Sequence, residues 1–196
     1  MNVSERNKKI ALARWSKKHS EDLKKINTNT EALILKASIC GFLAGDGSVQ
    51  KRKEKQFYHY QLDFFPDDEL MMNTYIDQMK TVYAKTPKIK KNNNFYSVRI
   101  TSKVIVEDLL KEAKFGIKNW TLPENLISLK GGKEAWLRGF FSAEAYVNKR
   151  SIKIQTINEK GMLQIVKMLN NLGIETKHYD YQPKKENHST VHMIFI

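Results

Sequence analysis

Two segments of the chain are imperfect copies of each other. Gly41-Phe42-Leu43-Ala44-Gly45-Asp46-Gly47-Ser48-Val49 recurs as Gly139-Phe140-Phe141-Ser142-Ala143-Glu144-Ala145-Tyr146-Val147, at a constant offset of 98 residues. Each copy begins where an apolar helical pattern ends, keeps small residues on one helix face and places a carboxylate at its exit. Ala37, Gly41, Ala44 and Gly45 leave one nearly bare stripe, and Ala135, Gly139, Ser142 and Ala143 repeat it. Bare stripes let two helix backbones approach closely. A glycine inside a helix costs up to about 1 kcal/mol against alanine, so a cost incurred in both copies implies a packing reason. A duplication that keeps one acid per copy predicts a pseudo-symmetric site, with the acids meeting where the copies pack.

With 196 residues, the chain can form one medium domain or two small halves sharing a core. A formal charge of +13, from 34 Lys+Arg against 21 Asp+Glu, favours a polyanionic partner. Nucleic acid is the first candidate and an anionic membrane surface the second. The apolar run 32–35 is cut at Lys36, far short of the roughly 20 residues a spanning helix needs. Residues 1–9 hold no signal-like apolar segment. The single Cys40 permits no intramolecular disulfide and reads as a small buried hydrophobe in a reducing compartment. A non-secreted, intracellular protein of a prokaryotic cytoplasm or nucleoid, or of an organelle matrix, is the expectation. His19, His59, His178, His188 and His192 lack zinc-ligand spacing in the sequence and read as surface or sheet residues.

Residues 1–29 read as a basic helical extension, with Ser4 capping one helix and Ser20 a second, shorter one. Arg6, Lys8, Lys9, Arg14, Lys17, Lys18, Lys24 and Lys25 suit it to a solvated arm or a DNA-tracking one. A first repeat spans 30–117. It contains a helix over 31–45, strands within 48–65, and a helix opened by Asp67, Asp68 and Glu69 with Met72, Tyr75, Ile76, Met79 and Tyr83 on one face. A hairpin of 88–91 and 95–101 turns at Asn92-Asn93-Asn94, and Ser102 caps a further helix that Gly116 closes. A linker covers 118–130. The second repeat, 131–196, restarts at Gly131-Gly132 with a helix to Ala143 and strands to Ile157. Its next helix carries Met162, Ile165, Val166, Leu169 and Leu172 on one face and is stopped by Gly173. Strands over 175–181 and 190–196 follow, with no final helix. The expected fold class is α+β, built from two pseudo-symmetric αββαββ(α) repeats.

That order, with the twin motifs, resembles the single-chain, two-repeat LAGLIDADG homing endonucleases over residues 30–196. The resemblance implies a central pair of motif helices between two saddle-shaped antiparallel sheets that straddle double-stranded DNA. It implies that Asp46 and Glu144 are the catalytic acids and bind Mg²⁺, with Mn²⁺ as a substitute, at a metal site that also includes Gly45 and Ala143. Gly47 and Ala145 are the acids' backbone neighbours. Carboxylates are hard oxygen donors suited to Mg²⁺, and two acids packed together without a cation repel, which raises the pKa of at least one. The second motif departs from the more usual Asp-Ala-Glu-Gly by reading Ser142-Ala143-Glu144-Ala145, and Ala145 restricts a backbone that glycine leaves free. Family members usually place Gln or Lys at the ends of the second strands, whereas this chain offers Phe65-Pro66-Asp67 and Thr156-Ile157-Asn158.

The DNA surface expected from this arrangement takes Lys51, Arg52, Lys53, Lys55, Lys88, Lys90 and Arg99 from the first repeat. Lys149, Arg150, Lys153, Gln155 and Lys177 come from the second, with Lys51 and Lys149 each five residues beyond an acid. Alternation along a strand lets Lys88 and Lys90 face DNA while Ile89 packs inward. Tyr58, Tyr60, Gln61, Asn94, Tyr96 and Tyr179 are further candidates for base-edge or sugar contacts. Four functions stay open: a site-specific homing endonuclease acting as a monomer on a long asymmetric site, a DNA-binding relative with little or no cleavage, a maturase on intron RNA, and an unrelated basic structural protein.

Overall fold

The computed structural model describes residues 3–91, 95–184 and 188–196. The Asn92-Asn93-Asn94 turn, Asn94 as a contact residue, and the side chains of Ser4 and Lys8 lie outside the described residues. The first helix, α1 (Val3–Lys24), is continuous where the sequence reading expected two. No proline or glycine interrupts it, and Ser20 sits in its interior rather than at a cap. It rests on the rest of the molecule through Trp15, which stacks on His19 at 5.2 Å and receives the Lys103 ammonium at 4.7 Å from its ring centre.

Helix α2 (Thr30–Asp46) starts at Asn29, whose side-chain oxygen accepts from the Ala32 N–H at 2.8 Å. Strands β1 (Gly47–Glu54) and β2 (Phe57–Phe64) follow as a hairpin. Helix α3 (Glu69–Tyr83) is capped by Asp68, which accepts from the Met71 N–H at 2.7 Å. Strands β3 (Lys88–Lys91) and β4 (Tyr96–Ile100) lead to α4 (Lys103–Glu112), capped by Ser102 as the sequence predicts. This helix ends before Gly116. That glycine instead holds a turn at φ +122°, its carbonyl accepting from Asn119 and Trp120 N–H groups.

The second half repeats the order. A short helix, α5 (Glu124–Ile127), lies within the segment read as a linker, and α6 (Gly132–Glu144) follows. Strands β5 (Tyr146–Val147) and β6 (Ile152–Thr156), helix α7 (Glu159–Asn171), and strands β7 (Lys177–Tyr181) and β8 (Val191–Phe195) complete the chain. The two sheets are antiparallel and have the same topology, β1-β2-β4-β3 and β5-β6-β8-β7. The hairpins that open them differ in length, however. The offset of 98 therefore stops at Val147, and Lys149 lies in a turn while Lys51 lies within a strand.

Helices α2 and α6 pack against each other more extensively than any other pair of elements. A Cβ on Gly41 would collide with the Trp136 carbonyl and come within 2.8 Å of the Phe140 nitrogen. A Cβ on Gly139 would collide with the Ser38 carbonyl and come within 3.0 Å of the Phe42 nitrogen. Trp136 and Phe140 are the 98-residue images of Ser38 and Phe42, so each glycine meets the image of what the other meets. This reciprocity marks a two-fold interface, formed here within one chain.

One apolar core runs through both halves, from Leu62, Phe64, Tyr75 and Val98 to Trp136, Phe140, Met162 and Ile194. The linker segment belongs to it. Trp120 packs on Trp136 and Phe140, and its carbonyl accepts from the Asn158 amide at 2.7 Å. Lys36, on α2, is buried and pairs with Asp108 at 2.9 Å and Glu112 at 3.5 Å, while the Tyr83 hydroxyl also donates to Asp108. Cys40 is buried, and burial pushes its thiol pKa well up, as an inert core residue requires. Ile89 is half exposed rather than packed inward, because β3 is the outermost strand of its sheet. Among the described residues, no helix is long and apolar enough to cross a membrane.

Gly139→Ala separates this packing from ordinary helix propensity. Alanine in an unencumbered helix stabilises by up to about 1 kcal/mol. Here the added methyl meets backbone, and the expected effect is a loss of about 1–3 kcal/mol, read as a lowered melting temperature. A melt at or above wild type would show that the helices do not touch at this point.

Candidate active site and nucleic-acid interface

Asp46 is the last residue of α2 and Glu144 the last of α6. Gly45 and Ala143 face each other at this shared end. A Cβ on Gly45 would lie 2.6 Å from the Ala143 Cβ, 3.0 Å from the Glu144 Cγ and 3.6 Å from its Oε1. The glycine of one copy thus makes room for the acid of the other. Burial, then repulsion from Asp67, pushes the Asp46 pKa up to about 6; burial, then repulsion from Asp46, pushes Glu144 up to about 7. Both acids stand at helix C-termini, where the dipole opposes a negative charge. Paired hard-oxygen donors in mutual conflict fit a divalent cation, which supplies the missing positive charge.

Asp67 and Asp68 divide the role that the sequence reading gave them jointly. Asp68 caps α3, while Asp67 lies within electrostatic reach of Asp46. Ala145 carries no strain, since its φ of −84° is extended backbone, as is the −117° of Gly47. What glycine provides at position 47 is space, because a Cβ there would lie 2.7 Å from the Leu43 Cδ2.

The strand pairing also identifies what stands opposite each acid. Gly47 pairs with Phe64, and one step further the Phe65 N–H donates to the Asp46 carbonyl at 3.0 Å. Tyr146 pairs with Lys153, so the same continuation sets Gln155 opposite Glu144, and the two line one recess. The sequence reading looked one residue too late, at 156–158. A glutamine does stand beside the second acid, and Phe65 holds the equivalent place in the first repeat.

Each sheet has one face covered by helices and one open. Leu62, Phe64, Val98 and Ile100 point to the helices in the first sheet, as do Ile154 and Ile194 in the second. Strand alternation then puts Arg52, His59, Gln61, Lys88, Lys90 and Arg99 on the open face of the first sheet. Lys153, Gln155, Lys177 and Tyr179 share the open face of the second. Arg99 is partly committed there, since its Nε donates to the buried Asp63.

Lys51 and Lys53 lie on the helix-covered side, against expectation. The Lys51 ammonium pairs with Glu107 of α4 at 3.1 Å and lies near the Tyr58 and Tyr60 rings, and the Tyr60 hydroxyl donates to the same carboxylate at 3.2 Å. The Lys51 hydrogen bond to Glu107 raises the lysine's pKa. Tyr58, Tyr60 and Tyr96 also fall on this side by register. Lys55 occupies the tip of the first hairpin at φ +53°. Lys149 and Arg150 lie at the tip of the second, where Asn148 accepts from the Arg150 and Ser151 N–H groups.

The fold also gathers residues that sequence spacing had kept apart. One ring nitrogen each from His178 and His192 and a carboxylate oxygen of Asp180 all lie within 4.8 Å of one another. Hairpin register, not sequence spacing, is the signal that reveals this group.

The acid pair gives stability an unusual pH dependence. The folded-state pKa values of about 6 and 7 lie above the ordinary 3.8 and 4.5. The folded chain therefore holds more protons than the unfolded chain across this interval. The pair's stabilising contribution is complete in acid and is lost as pH rises through 6 and 7. Without metal, an Asp46→Asn/Glu144→Gln chain should exceed wild type at pH 7.5 by about 1–3 kcal/mol, after allowance for solvent at a half-exposed site. The gap should close at pH 4. Parallel melting curves of both chains in a chelator would detect it, and an equal pH response would refute the coupling.

The first repeat matches a family model described as the WhiA LAGLIDADG-like domain over residues 35–122, and the second a LAGLIDADG-like domain over residues 132–196. The structure resembles I-DmoI in complex with DNA and Mn, with a TM-score of 0.65 and 18% identity over 84% of this chain and 89% of that one. A complex of I-DmoI with DNA and Ca gives 0.60 and 19%, covering 84% and 83%. I-WcaI bound to its DNA recognition sequence gives 0.53 and 14%, covering 83% and 75%. These likenesses are of fold. Both halves of the internal duplication match the same kind of domain, and the chain carries two LAGLIDADG-like domains in one polypeptide.

Proposed function

We propose that the protein is a site-specific double-stranded DNA endonuclease, using Mg²⁺ or Mn²⁺ held between Asp46 and Glu144. The meeting of one half-buried acid of raised pKa from each repeat, at the end of α2 and α6, carries this reading. The open sheet faces support it, because their cations and amides flank the acids on both sides. A divalent ion in such a site polarises the scissile phosphate and lowers the pKa of the attacking water. The chain's own groups orient the substrate. Arg52, Lys88, Lys90, Lys153 and Lys177 meet phosphates, and Gln155 is placed to hold water beside Glu144.

The two repeats differ on their open faces, with Arg52, His59 and Gln61 on one and Lys153, Gln155 and Tyr179 on the other. The target is therefore long and asymmetric in sequence, while phosphate contacts follow the pseudo-two-fold. A monomer suffices, since the duplication supplies the second half. An intracellular location and a role in intron homing are part of the same reading. A second reading, DNA binding with little cleavage, draws on Phe65, which offers no hydrogen bond to water where Gln155 offers one.

Cleavage selection from a randomised duplex library in Mg²⁺, beside binding selection in Ca²⁺, separates the two. Asp46→Asn and Glu144→Gln should each abolish cutting and retain or strengthen binding. A variant that cuts normally would remove that acid from the site. The face assignment has its own measurement in the salt dependence of binding. Lys88→Ala should reduce the slope of log K against log salt by about 0.9, as expected for one lost phosphate contact. Lys51→Ala should leave it nearly unchanged, and the reverse pattern would invert the assigned faces.

A further inference from the structure

We propose that His178, Asp180 and His192 form a second metal site, selective for a transition-metal ion of the zinc class and separate from the acid pair. The inference does not depend on the nuclease reading. His178 and Asp180 are two apart on β7 and share a face, and His192 on β8 pairs directly across from Asp180. All three therefore project from the helix-covered side of the second sheet, opposite Lys177 and Tyr179. The Asp180 Oδ1 lies 2.7 Å from His192 Nδ1 and 3.2 Å from His178 Nε2, and the two rings stack at 6.2 Å. Tetrahedral zinc with ligands at about 2.1 Å separates its donor atoms by about 3.4 Å. The two Asp180 Oδ1 separations lie below that value, and all three donor atoms fall within 4.8 Å of one another.

Two further observations favour a ligand over a simple hydrogen-bonded cluster. His192 is 6% exposed, an imidazole held in place at the sheet, while the Asp180 side chain stays open to solvent, leaving an entry path and room for water ligands. Strand β7 is the outer strand of its sheet, and none of its five residues is buried. Its Tyr179 ring meets Phe195 of β8 on the open face, and a metal shared with β8 would add a tie on the other face. Two imidazoles and one carboxylate select Zn²⁺, Co²⁺ or Ni²⁺ over Mg²⁺, which requires oxygen donors. The two sites of the molecule would thus sort metals by ligand chemistry.

Titration of the metal-stripped full chain with Co²⁺, in excess Mg²⁺ to occupy the acid pair, tests this. One equivalent should develop the visible absorption of four- or five-coordinate cobalt, and Zn²⁺ should displace it. His178→Gln, a change at a partly exposed side chain, and His192→Gln should each weaken binding by about a hundredfold. Asp46→Asn/Glu144→Gln should keep the full signal. At free zinc about a hundredfold above Kd, the wild-type melt should rise by about 5–10 °C. Absence of the cobalt band, its persistence in His178→Gln, or its loss in the acid-pair variant would overturn the proposal.

Discussion

The closeness of α2 and α6 depends on backbone meeting backbone at Gly41 and Gly139. Where a side chain would normally keep helices apart, each glycine admits the other helix's peptide groups. The penalty that glycine brings to helix propensity is offset by the packing this permits, and the same contact aligns the helix ends. Because Gly45 continues the bare stripe to the last turn, Glu144 lies against α2 instead of being pushed outward. A molecule with bulkier residues here could retain both sheets and lose the site between them.

That alignment sets an electrostatic problem. Two acids are brought together half-buried, at helix ends whose dipoles oppose them. Among the described residues, no lysine pairs with either acid to relieve it. Lys36, the buried cation of α2, is instead tied to Asp108 and Glu112 about ten residues earlier on the helix. The unresolved charge at one end and the fully paired charge further back give one helix both a structural anchor and an electrostatically unsatisfied tip.

Much of this was legible in the sequence because it depends on local chemistry. The 98-residue duplication exposed the helix pair, Asp68 and Ser102 announced their helices, and alternation placed Lys88 and Lys90 together. What escaped depends on register between strands. Lys51 looked equivalent to Lys149 by counting, but hairpins of unequal length put one in a strand facing α4 and the other in a turn. Gln155 counts by sequence as part of the DNA surface, though the pairing of Tyr146 with Lys153 sets it beside Glu144. His178 and His192 lie fourteen residues apart in sequence, and only the β7–β8 pairing brings them to Asp180. The continuity of α1 was hidden differently, since Ser20 favours a cap but imposes none.

The unequal hairpins have a geometric consequence for any long, straight partner lying along both open faces. Strand β1 has eight residues and β5 two, so at about 3.4 Å per residue the first reaches about 27 Å and the second about 7 Å. The paired acids sit at the root of both. From the acid-bearing end of the helix pair, the opening hairpin of the first sheet therefore extends further than that of the second, so such a partner would be covered unequally on its two sides.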